Sequence, residues 1–63
     1  MTDKITASDK LACVERELKM RKRVYPRWTA QDKMSEGKAA HEIACMEAIV
    51  SDYRIAAEKE RLI

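Results

Sequence analysis

His41 and Cys45 stand four residues apart, and on a helix that spacing returns to nearly the same side. An imidazole and a thiolate so placed can serve as two zinc ligands, with Cys13 as the remaining cysteine to offer a third. Structural zinc sites take four ligands and are commonly built on a Cys-x-x-Cys knuckle, which this chain lacks. His41 also falls away from the apolar side of its segment. The expectation is an exposed histidine beside a small, partly buried thiol, with no metal and no cofactor.

Paired carboxylates, Glu15/Glu17 and Glu58/Glu60, have the composition of an acid/base couple. They are interleaved with Lys and Arg at ion-pair spacings, as in Glu17 and Arg21. Acid/base work needs a pocket that desolvates the group and shifts its pKa, and two helices offer none. No Ser/His/Asp or Cys/His arrangement has a visible scaffold either. The sequence therefore reads as non-enzymatic, with no catalytic residue.

The densest chemistry lies in residues 19–28, Lys19-Met20-Arg21-Lys22-Arg23-Val24-Tyr25-Pro26-Arg27-Trp28. Five cations and two aromatics can grip a phosphate backbone and stack on a base. Basic residues also gather at the last turn of a helix, where its dipole favours them. On a 100° wheel Lys19, Lys22 and Arg23 spread over about 100°, with Arg21 elsewhere, so no single basic stripe emerges from this set. Nucleic-acid contact through Lys19, Arg21, Lys22, Arg23 and Arg27 is thus the alternative to a purely structural role.

The elements that must position these groups are helical. The 63 residues include one Gly, one Pro and no Phe, with 46% hydrophobic and 38% charged residues. That vocabulary lacks the turn residues a chain of short strands needs, and the length excludes dinucleotide-binding, P-loop and barrel folds. Ala7, Leu11, Val14, Leu18, Arg21, Tyr25 and Trp28 follow at alternating steps of four and three, which puts them on one stripe. Thr6 and Asp9 fit a capping box at its start. Pro26 should stop or bend this helix, leaving Tyr25 and Trp28 to close one end of the core. Ser35 and Glu36 begin a second helix, whose stripe runs Ala39, Ile43, Met46, Val50, Tyr53 and Ala57 to about Arg61.

Two amphipathic helices joined near residues 31–33 form an antiparallel hairpin, a single all-α domain over residues 1–63, with 1–5 and 62–63 frayed. The expected register sets Leu18 near Met46, Val14 near Val50, Leu11 near Tyr53, and Arg21 near Glu42 and Ile43. Cys45, Ile49 and Ala56 widen the apolar arc of the second helix to about 160°, where about 100° is usual for one covered face. Chains this small generally need a staple, a metal or a partner. Self-association is therefore expected, most simply as a homodimer forming a four-helix bundle through Leu11, Val14, Leu18, Tyr25, Trp28, Ile43, Met46, Ile49, Val50 and Tyr53.

Charge is uneven although the formal total is only +2. Residues 1–33 carry nine basic and five acidic groups, and residues 34–63 carry four and six. Such halves suit helices lying side by side, within one chain or between copies. No run of 18 apolar residues spans a membrane, and the first residues lack the apolar stretch of a secretory signal. Reduced cysteines and no disulfide are expected.

The runs Lys10-Leu11-Ala12-Cys13-Val14-Glu15-Arg16-Glu17-Leu18, Val24-Tyr25-Pro26-Arg27-Trp28, His41-Glu42-Ile43-Ala44, Met46-Glu47-Ala48-Ile49-Val50 and Asp52-Tyr53 resemble a group of small helical proteins encoded in bacteriophages and prophages. The likeness covers about residues 10–54, with Tyr25-Pro26-Arg27-Trp28 and the Met46–Val50 run its most specific parts. It implies a bacterial host cytoplasm and an accessory role, exerted by binding a larger protein. It brings no catalytic residue.

Overall fold

A computed structural model describes residues 4–62 of the chain. It is an antiparallel helical hairpin: α1 spans Ala7–Ala30 and α2 spans Glu36–Arg61, with no strand among the described residues. Of the ends expected to fray, residues 1–3 and 63 lie outside the described residues. Leu62 still donates its backbone N–H to the Glu58 carbonyl at 3.2 Å.

Each helix start follows from a short polar side chain ahead of helix-forming residues. Thr6 Oγ1 accepts from the Asp9 N–H at 3.1 Å, while Asp9 Oδ2 accepts from the Thr6 N–H at 3.0 Å, so the capping box is complete. Ser35 Oγ accepts from the Lys38 N–H at 3.1 Å, and Glu36 supplies negative charge to the first turn of α2.

Pro26 does not end α1, contrary to its local tendency to break a helix. The helix runs four residues past it to Ala30. Tyr25, only 8% exposed, supplies the compensating packing, and the Thr29 hydroxyl donates to the Pro26 carbonyl at 2.9 Å. Tertiary burial here outweighs a local backbone preference.

The reversal is a Schellman motif. The Lys33 N–H donates to the Trp28 carbonyl at 2.9 Å, and the Asp32 N–H donates to the Thr29 carbonyl at 3.1 Å. Asp32 takes the left-handed conformation, φ 57°, at the position that glycine most often fills.

The core is a thin seam between the helices. Ala7, Tyr25, Met46 and Val50 are its buried members, and no described side chain falls below 2% exposure. Leu11, Val14, Leu18, Ile43 and Tyr53 are partly buried beside them. Trp28 and Ile49 are each 39% exposed, which corrects the expectation that Trp28 closes the core. Its ring instead lies against Tyr25, with centroids 5.6 Å apart, and covers that ring from outside. A two-helix layer has no third element to bury a residue on its flank.

Candidate interaction surfaces

Cross-helix contacts establish the register and divide the hairpin into two broad faces. Arg21 reaches Glu42 across the seam at 3.5 Å and its own-helix neighbour Glu17 at 3.0 Å. Lys22 meets Glu47 at 3.1 Å, and Arg54 meets Glu15 at 3.1 Å. Near the open end, Lys10 Nζ stands 5.7 Å from the Tyr53 ring centroid, and Glu60 Oε2 accepts from the Ala7 N–H at 2.9 Å. From the open end to the turn, the α1 partners run from Ala7 to Lys22 while their α2 partners run back from Glu60 to the stretch 42–47, the mark of an antiparallel pair. The Arg21–Glu42 pair and the Lys10–Tyr53 proximity match the expected register.

On one face, two exposed ion pairs, Lys22–Glu47 and Arg54–Glu15, bridge the helices. Each such pair contributes under about 1 kcal/mol, because water screens it. Between them and the turn lies an open groove of about 480 Å³, with Tyr25, Pro26, Ala40, Ile43 and Ala44 in its lining. Small side chains on α2 opposite the rigid Pro26 ring create this space. The groove was not foreseen, because periodicity identifies which residues face the seam but not where their volumes fail to fill it.

The opposite face is broader in its apolar content. Val14, Tyr53, Cys13 and Ile5 line a depression of about 390 Å³. Helical phase carries the same side onward through Ile49 on α2 and Val24 and Trp28 on α1. Its centre is the Glu17–Arg21–Glu42 cluster, where the Arg21 side chain is 26% exposed. The hydrogen bond with Glu17, opposed by partial desolvation and aided by the nearby Tyr25, Glu17 and Glu42 groups, raises the Arg21 pKa above its ordinary value. A raised cation pKa means that this pairing favours folding below the ordinary guanidinium range. Its contribution fades only as pH rises through the folded-state value.

The five cations of residues 19–28 divide by partner. Arg21 and Lys22 are committed to carboxylates, whereas Lys19, Arg23 and Arg27 are exposed on the outer side of α1. Arg16, which sequence reasoning left out of the set, joins them: these four fall within about 80° of the helix circumference. None of the four takes part in the ion pairs of the described residues. The stripe escaped notice because Arg21 and Lys22 blurred it; pairing with α2 removes both.

His41 Nε2 and Cys45 Sγ lie 3.5 Å apart on the surface of α2. Cys45 is exposed, which corrects the expectation of a partly buried thiol, and Cys13 is exposed too. Among the described residues no three His, Cys, Asp or Glu side chains gather to hold a metal ion. The carboxylates suggested for acid/base work have structural partners: Glu15 binds Arg54, Glu17 binds Arg21, Glu58 binds Arg61 at 2.6 Å, and Glu60 caps Ala7. Among the described residues no helix is long and apolar enough to cross a membrane. No protein-family model, curated protein or solved structure matches the chain.

Proposed function

We propose that this is a small, non-enzymatic helical interaction protein that self-associates and presents its remaining surface to a protein partner. The incomplete core carries this reading: burial stops at four described residues, while Trp28 and Ile49 stay 39% exposed beside them. The hairpin measures 47 × 25 × 13 Å, with a radius of gyration of 14.6 Å. A compact chain of this length would have about 10.6 Å. A slab so thin has no interior of its own, and a second layer would give it one. The carboxylates' structural commitments support a non-enzymatic role. The resemblance of residues 10–54 to phage and prophage proteins supports an accessory task in a bacterial cytoplasm.

Sedimentation equilibrium across micromolar concentrations tests the self-association. A concentration-dependent dimer is expected, and a stable, cooperatively folding monomer would refute it. Affinity capture from nuclease-treated bacterial lysate, beside a Leu18→Asp variant, tests the partner: the variant should lose helicity and its captured protein together.

The alternative, a nucleic-acid-binding accessory protein, is favoured by one observation, the exposed stripe of Arg16, Lys19, Arg23 and Arg27. Steps of three and four residues set these cations roughly 5–6 Å apart along a rigid helix. Phosphate binding through them would weaken steeply between low and moderate salt, whereas apolar docking would hardly change.

A further inference from the structure

We infer that the second copy of the chain docks on the Trp28/Ile49 face, with α1 of each protomer lying across α2 of its partner and both turns at the same end. The inference rests on the self-association proposed above and specifies its surface and orientation.

Area gives the first argument. The hairpin exposes 5147 Å². A folded monomer of 7.3 kDa exposes about 4,200 Å² by the usual scaling with mass. The surplus of nearly 1,000 Å² is close to the roughly 800 Å² that each partner buries in a standard interface. A second copy is therefore an occupant of the right size.

The choice of face follows from what each face would have to desolvate. The face with the 480 Å³ groove is crossed by the Lys22–Glu47 and Arg54–Glu15 pairs, whose side chains are all 46–65% exposed. Burying those ions strips water from four charges. The other face offers Trp28 and Ile49, and its cross-helix ion pair, Arg21–Glu42, is already partly withdrawn from water. A copy covering it gains apolar burial and desolvates three charges that are 26–42% exposed, fewer and less exposed than those on the grooved face.

Orientation follows from charge. On this face helical phase places Lys10, Glu17 and Arg21 on α1 and Glu42 and Glu60 on α2, so α1 is net positive there and α2 net negative. A two-fold axis perpendicular to the helices would stack α1 on α1 and α2 on α2, pairing like charges. An axis parallel to the helices sets α1 over the partner's α2, pairing opposite charges, and brings the two turns together.

Three measurements test this. Trp28 is the sole tryptophan, so its emission in the unmodified chain should shift to shorter wavelength as dilution is reversed and the dimer forms. An emission unchanged through dimerisation would overturn the choice of face. Ile49→Asp, counted twice in a symmetric interface, should weaken dimerisation about 100-fold or more. Ala44→Asp, on the grooved face, and Ile55→Asp, on the outer side of α2, should leave it unchanged. Loss with Ala44→Asp and retention with Ile49→Asp would overturn the face while self-association stands. If Ile49→Asp fails to fold, the Trp28 emission decides. Spin labels at Lys33→Cys, in a Cys13→Ala/Cys45→Ala chain, report orientation. Helices packed about 8–10 Å apart should bring the labels within about 25 Å, and a separation near the hairpin's 47 Å length would overturn the parallel axis. A monomer at all concentrations would refute both the interface and the self-association beneath it.

Discussion

The two ends of the hairpin are held by different physics. At the turn, covalent connection, a Schellman motif and the burial of Tyr25 keep the helices together. At the open end, the buried residue is Ala7, and the Glu60 carboxylate accepts from its N–H. That carboxylate sits where α1 presents unpaired N–H groups and the positive end of its dipole. One end is secured by burial, the other by a polar clasp. The difference teaches that a short apolar stripe can close a hairpin where the chain itself limits separation, but needs a charged cap where nothing else does.

Truncating the aromatic anchor should break the turn end most severely. Tyr25→Ala is expected to destabilise by about 3–5 kcal/mol, in the range of large aromatic deletions, and to abolish cooperative thermal unfolding followed by circular dichroism. At mid-seam, Val50→Ala removes two methyl groups from a site 5% exposed. A loss of roughly 1–2 kcal/mol, read from urea midpoints at unchanged slope, would put that region between the two ends.

At the open end, Glu60→Gln should cost about 1 kcal/mol or less, because the amide still accepts a hydrogen bond but no longer answers the dipole. Amide hydrogen exchange at Ala7 should accelerate while Lys33 is unaffected; equal acceleration at both would mean the ends are not independent. Opposite in sign, and no larger, are two exchanges near the turn, one to glycine and one from it. Asp32→Gly relieves a left-handed backbone and should stabilise by about 0.5–1 kcal/mol, a rise of a few degrees in Tm. Gly37→Ala meets nothing within 4 Å and should gain up to about 1 kcal/mol through helix propensity.

Periodicity made the hairpin legible. Steps of three and four named the seam, Thr6 and Ser35 marked the starts, and the register that paired Arg21 with Glu42 followed from antiparallel counting. Features that depend on two helices meeting in space escaped it. Asp32 was not read as the left-handed residue because glycine signals that position and the sole glycine lies at 37. The Glu60 clasp joins residues 53 positions apart, with no local signature. Trp28 has the phase of a seam residue, yet it sits on the flank of a two-helix layer with no third element to cover it, so its ring stays partly in water. The Arg16–Arg27 stripe became visible only after Arg21 and Lys22 had found their carboxylates.

The Glu60 clasp also bears on the order in which the molecule assembles. Pairings beside the turn close small loops, whereas the Ala7–Glu60 bond spans nearly the whole chain and can form only at the greatest loop entropy. Folding should zip from Asp32 outward, so that Asp32→Gly quickens the forward rate while loss of the Glu60 carboxylate chiefly hastens the reverse one.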